Sequence, residues 1–147
     1  MKKISALLII ILSAISVYGQ TDNPRIKNRN GISLYAMGPN VVGSFSYDYF
    51  LTPNLNAETG IGFIGIHAGL KVHLWGGRDD KSWTPYFGAA ITRSLFPSVG
   101  VDYLPYFPIG IHFAGKNRLN LSFEVAPLQL KFLAWNIAGV KIGYRFP

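Results

Sequence analysis

Between Arg118 and Ala126 every odd position from Leu119 to Val125 is large and apolar, while the positions between them are polar or charged. A period of two belongs to a β-strand, whose successive side chains point to opposite faces. Seven further segments repeat it to varying degrees: 31–37, 41–50, 55–64, 68–75, 84–93, 106–114 and 136–146. Throughout, charges fall on the face opposite the large apolar residues. A sheet made from these segments has one greasy face and one charged face. Closed on itself with the greasy face outward, it suits lipid. Closed with the faces reversed, it would be a water-soluble sandwich or a lipocalin-like carrier.

The ends of the chain favour the first alternative. Met1-Lys2-Lys3 followed by the apolar run from Ile4 has the basic start and hydrophobic stretch of a secretory signal, with Val17-Tyr18-Gly19 as a cleavage site. The apolar run falls short of the roughly 20 residues of a spanning helix. Residues 1–20 are therefore expected to be removed, and the absence of any cysteine rules out lipoprotein processing. Residues 21–30 are polar without an apolar period and are predicted to be a flexible lead-in. Residues 31–147 are then one domain. An exported chain without cysteine must be held by its own hydrogen-bonded closure. The formal charge of +7 comes from dispersed residues with no basic helix, which argues against a nucleic-acid partner.

Eight such segments approach the roughly 9–11 residues that a tilted strand needs to cross a bilayer. The predicted fold is all-β: an eight-stranded antiparallel up-and-down transmembrane barrel whose first and last strands pair, since an open edge in lipid would strand backbone polar groups. Pro105 and Pro108 withhold donors, so segment 106–114 is expected to begin irregularly or to carry a bulge. The pattern places Asp48, Glu58, Lys71, His73, His112, Arg118, Glu124, Lys141 and Arg145 on the inward face. An outward Lys or Arg at the bilayer midplane would cost roughly 2–4 kcal/mol. Glu124 is expected to pair with Lys141, and Glu58 to approach His73. An eight-stranded barrel is wide enough only for side chains to fill it, so a plugged lumen is expected.

The signal, the alternating hairpins, the opening Pro85-Tyr86-Phe87-Gly88-Ala89-Ala90 and the ending Gly139-Val140-Lys141-Ile142-Gly143-Tyr144-Arg145-Phe146 resemble the small outer-membrane β-barrel family of diderm bacteria, the OmpA- and OmpX-like barrels. The resemblance covers nearly the whole of residues 31–147. It implies an outer-membrane location, both termini in the periplasm, and partners in membrane lipid and in the insertion machinery that recognises a last strand ending in an aromatic, here Phe146. No peptidoglycan-binding domain follows, so that role does not carry over. With this topology 52–54, 76–82 and 115–117 become periplasmic turns, and outer loops fall near Gly38, 65–67, 95–104 and 127–134. Leu95, Phe96 and Tyr103, with Leu130, Phe132 and Trp135, are apolar for free loops. They are expected either to continue the strands as an aromatic girdle or to meet a protein partner in the envelope.

Other motifs are weaker. Gly60-Ile61-Gly62-Phe63-Ile64-Gly65 matches a dinucleotide fingerprint, but that chemistry needs a following helix, and a strand follows here. Without ligand spacing or cysteine, His67, His73 and His112 suggest no metal site, and no cofactor is implied. His67, Ser94, Ser98 and Asp102 are candidates for a lipid-modifying acyl transfer or hydrolysis at the outer rim, though no nucleophile motif supports them and no catalytic residue is assigned. The soluble carrier is disfavoured because Glu58, Lys71, Glu124 and Lys141 would line its ligand cavity. Arg25, Lys27, Arg29, Arg78, Lys81, Lys116 and Arg118 gather at one end as a positive rim that could meet anionic headgroups. The leading expectation is a structural or accessory outer-membrane barrel without an open pore, alone or as a subunit of a larger envelope complex.

Overall fold

The structure, a computed structural model, describes residues 23–78, 82–95, 102–130 and 133–147. The expected signal segment 1–20 lies outside these residues. The wall comprises β1 (Asn30–Ala36), β2 (Gly43–Thr52), β3 (Leu55–Gly62), β4 (Gly65–His73), β5 (Trp83–Ser94), β6 (Tyr103–Tyr106), β7 (Ile109–Ala114), β8 (Leu119–Leu130) and β9 (Leu133–Phe146). All pairings are antiparallel, each strand with the next along the chain except that β5 pairs with both β6 and β7. The ring closes where β1 meets β9, from Asn30 opposite Phe146 to Ala36 opposite Val140. Because β6 and β7 both lie along β5, they form one stave, and the molecule is a closed eight-stranded barrel.

The alternation in the sequence becomes an alternation in burial. Ile32, Leu34, Phe45, Ile61, Leu70, Ile91, Ile111, Phe123 and Ile142 are exposed on the outside of the wall. Ser33, Tyr35, Ser46, Asp48, Glu58, Lys71, Glu124 and Lys141 are buried inside it. Pro108 interrupts the sixth stave, but Tyr106 lies opposite Ala90 and Ile109 opposite Phe87, so both strands advance by three residues and no bulge is inserted. Gly88 still donates its N–H to the Pro108 carbonyl. The bulge lies instead near Leu51, where the β2–β3 register shifts between Phe50 and Thr52. The Thr52 hydroxyl there accepts from the N–H groups of Asn54 and Leu55 and tightens the turn.

Several placements differ from the sequence expectation, among them the start of β6 at Tyr103, three residues before the predicted 106. β4 starts at Gly65, three residues before the predicted 68, so 65–67 is wall and not loop. Of the two readings of the greasy stretch near 127–134, free outer loop or continued strand, residues 127–130 and 133–134 follow the second, with Leu128 opposite Trp135 and Leu130 opposite Leu133. Arg118, expected inside, sits exposed in the turn between β7 and β8. The polar lead-in is not structureless from Asn23 onward: Pro24–Lys27 form α1, with Asn23 as its cap accepting from the Arg25 N–H at 3.0 Å. A pattern based on apolar period could not detect α1, because a four-residue helix whose buried residues are Pro24 and Arg25 has no apolar stripe.

This short helix closes one mouth of the barrel. Asn23 donates to the Gly76 carbonyl at 2.7 Å, Arg25 to the Ser82 carbonyl at 2.9 Å, and Arg145 to the Asn28 and Arg29 carbonyls at 2.8 and 2.6 Å. Burial and nearby Arg145 lower the Arg25 guanidinium to about 10, which still leaves it charged at neutral pH. The other mouth is closed by the β1–β2 loop. Asn40 is fully buried there, accepting from the Gly65 N–H at 2.9 Å, and the Thr92 hydroxyl holds the Pro39 carbonyl at 2.7 Å. Val41, at φ 64°, packs on buried Leu104 and Ile137.

The β1–β9 seam gives a direct test. A Cβ on Gly143 would lie 2.1 Å from the Ser33 hydroxyl and 2.2 Å from the Ile32 carbonyl oxygen. Gly143→Ala is expected to lower the stability of the barrel by about 1–3 kcal/mol through overpacking, read from the urea unfolding midpoint. Gly77→Ala, whose nearest neighbour would be a side-chain atom at 3.2 Å, serves as the comparison and should change the midpoint less.

Candidate functional site

β2 and β3 place Asp48 directly opposite Glu58, both pointing inward. Two facing carboxylates repel unless cations are brought between them. The ring supplies one from β9: Lys141 Nζ lies 3.1 Å from Asp48 Oδ1 and 2.6 Å from Glu58 Oε2. On β1, the strand between, Tyr35 lies opposite Lys141, whose Nζ sits 5.5 Å from its ring centroid, and Gly31 lies opposite Asp48. Arg145 binds the far side of Asp48, with Nη1 at 2.6 Å from Oδ2. Lys71 lies between Glu58 at 3.3 Å and Glu124 at 3.2 Å. The six groups thus form a ladder of alternating sign: Glu124, Lys71, Glu58, Lys141, Asp48, Arg145. Three negative charges meet three positive ones, and every member is at least 95% buried.

Around the ladder the remaining polar valences are largely filled. Glu124 accepts from the hydroxyls of Tyr106, at 2.8 Å, and Tyr86. Tyr35 receives a hydrogen bond from Lys71 and donates to Glu58 at 3.2 Å. Asn56 donates to Asp48 at 3.0 Å, and Asn120 links Ser33 and His112. Gly110 and Gly139 lie opposite Glu124 on its two neighbouring strands. A Cβ on either would press on the Glu124 side chain, at 2.9 and 3.2 Å. These glycines make room for the one carboxylate that gathers three tyrosines, Tyr35, Tyr86 and Tyr106, and a lysine.

The dinucleotide-like glycines have the same spatial role. Gly60 faces His67 across β3 and β4, and a Cβ there would come within 2.5 Å of the imidazole. His67 itself is buried, 2.7 Å from the Asn40 side-chain nitrogen and 3.7 Å from Glu58. The Gly65 N–H fixes the Asn40 oxygen, which leaves the Asn40 amide nitrogen as donor to His67 Nδ1 and the Nε2 proton facing Glu58.

Each of the eight predicted interior residues, Asp48, Glu58, Lys71, His73, His112, Glu124, Lys141 and Arg145, lies inside the wall. Two of the predicted pairings do not form. Glu124 binds Lys71 and not Lys141, whose opposite number on β8 is Ser122. Glu58 binds Lys71 and Lys141, while His73 packs with Phe50, Tyr86 and His112. Both errors come from considering neighbours along the wall alone, whereas a narrow interior lets side chains meet across it. Tyr35, Tyr86, Tyr106 and Asn40 were missed as site members, and His67, a candidate at the outer rim, belongs to the interior instead. Inward parity pointed to the tyrosines, but nothing in the sequence marked Asn40, which lies in a loop folded back into the mouth.

Among the rim candidates, Ser94 donates its N–H to the Asp102 carbonyl, His67 is committed to Asn40, and Ser98 lies outside the described residues. The described residues contain no group of three metal-ligating side chains. Leu95 and Tyr103 are exposed beside the β5–β6 connection. Phe96 and Phe132 lie outside the described residues, and Leu130 and Trp135 belong to the paired backbone of β8 and β9. No family model matches the chain, nor does any curated protein or solved structure.

The ladder makes a quantitative expectation. Glu124→Gln leaves a net positive interior and Lys71→Met a net negative one, each costing about 3–5 kcal/mol as a broken buried pair. The double variant restores neutrality. It is expected to be more stable than the sum of the two losses by about 0.5–3 kcal/mol in urea unfolding. Strict additivity would contradict the ladder.

Proposed function

We propose that this chain is an integral outer-membrane β-barrel with a structural or accessory role in the cell envelope and no open pore. The observation that carries the reading is the inversion of the wall, with charges sealed within and large aliphatic and aromatic side chains covering the outside. In water such a continuous apolar exterior would be an aggregation surface. Against acyl chains it is the favourable arrangement, and the pairing of β1 with β9 closes the seam that would otherwise leave the first and last strands with open edges in lipid. Among the described residues no helix is long and apolar enough to cross a bilayer.

A carrier would need space in the lumen, and the ladder with its tyrosines occupies it. A channel would need open mouths, and α1 and the Pro39–Asn40 loop cover them. These features support a role for the outer surface and rims. Phe146 at the end of β9 fits recognition by the insertion machinery. Leu95 and Tyr103 would lie at the rim opposite the termini, where a girdle or a protein partner in the envelope would be met.

The outward residue Ile142, in the row Val140–Ile142–Tyr144, separates lipid from water as the surrounding medium. For folding into phosphatidylcholine vesicles, Ile142→Arg is expected to cost up to about 2–4 kcal/mol, according to its depth. A soluble barrel would tolerate the same change within about 0.5 kcal/mol, as surface substitutions usually are. That result, with the chain recovered in the aqueous fraction, would contradict the proposal.

A further inference from the structure

At the mouth closed by α1, Lys27 and Asn28 face Lys116 and Arg118 of the β7–β8 turn across a cleft of about 350 Å³. Both lysines and Arg118 are exposed, and no carboxylate lines the cleft among the described residues. Three cations around one depression repel one another unless an anion lies between them. Arg118 carries a second sign of function. Its φ of 71° is the left-handed conformation that favours glycine, and closing a turn does not require an arginine there. The strained backbone projects the guanidinium over the outward Tyr144, 6.0 Å from the ring centroid, and one N–H donates to the Tyr144 hydroxyl at 3.1 Å. That contact uses one of the five donors of a guanidinium. Tyr144 stands two residues from the end of β9, where an aromatic marks the level of headgroups in a membrane wall.

We propose that this cleft binds the phosphate of an anionic phospholipid headgroup, held by Lys27, Lys116 and Arg118, with Tyr144 orienting the arginine. The site rests on the membrane reading above, because its ligand reaches it from the adjoining leaflet. A planar guanidinium paired with two ammonium groups suits a phosphodiester: the arginine offers a fork of donors and the lysines add charge. The acyl chains of the same lipid would run along the apolar wall beside Tyr144.

The test uses the full chain folded in phosphatidylcholine vesicles, with electron spin resonance of spin-labelled phosphatidylglycerol and phosphatidylcholine giving their relative association. The wild type is expected to prefer phosphatidylglycerol, and Lys116→Gln to weaken that preference about fivefold, the share of one surface cation. Arg118→Gly relieves the backbone strain, so it should fold at least as well while losing a comparable share. Arg78→Gln removes a charge from the same end outside the cleft and should leave the preference nearly unchanged. Equal losses from Arg78→Gln and Lys116→Gln would overturn the cleft in favour of diffuse attraction. Inorganic phosphate that abolishes the preference would show a site for free phosphate and not for a headgroup. Equal association of both lipids with a folded barrel would sink the site alone, whereas a barrel that restricts neither lipid would sink the membrane reading with it.

Discussion

Six ionised groups enclosed by a continuous ring of backbone hydrogen bonds are the condition on which the rest of this molecule depends. An isolated buried charge is destabilising by several kcal/mol, and a pair recovers that cost only with good geometry and filled valences. Here Glu124, Lys71, Glu58, Lys141, Asp48 and Arg145 alternate in sign. The four inner members each touch two opposite charges. Removing an inner member therefore disturbs two contacts at once. Arg145, the terminal member, also binds the carbonyls of Asn28 and Arg29, so the ladder extends into the segment that covers the mouth.

Closure of the mouths follows from the same network. One end is held by α1 through backbone carbonyls of the turns, and the other by a loop whose Asn40 reaches His67, itself facing Glu58. Side-chain chemistry thus connects lid, ladder and cap. What remains open to the surroundings is the apolar exterior and the two rims, and any interaction with another molecule begins there. The inward glycines fit this picture as absences of side chain, since the bulky polar groups of the ladder need facing positions without a Cβ.

Much of this was legible in the sequence. The period of two, sustained from Gly31 to Phe146, gave the strands and their faces, and hence the identity of all the charges in the ladder. The pairings within it were not legible. Parity assigns a residue to a face, but which of Lys71 and Lys141 reaches Glu124 depends on how far each side chain extends across the lumen and on the small residues it must pass. Arg118 shows the limit of parity at a turn, where a left-handed residue ends the alternation and turns the side chain outward. The polar segment from Asn23 defeated the reading for a different reason: its burial is achieved by hydrogen bonds to carbonyls, and hydropathy carries no trace of those. Pro108 illustrates the reverse, a local breaker tolerated because its carbonyl still serves the neighbouring strand.

The direction in which the wall faces is open to direct measurement because the chain has no native cysteine to interfere. Single cysteines placed in turn at positions 138, 140 and 142 of β9 and spin-labelled in phosphatidylcholine vesicles report collisions with oxygen, which concentrates in lipid, and with a polar nickel chelate, which stays in water. High oxygen and low chelate accessibility at all three outward positions is the expected result. The reverse, with the chelate reaching Val140→Cys and Ile142→Cys freely in a folded barrel, would contradict the account at its centre.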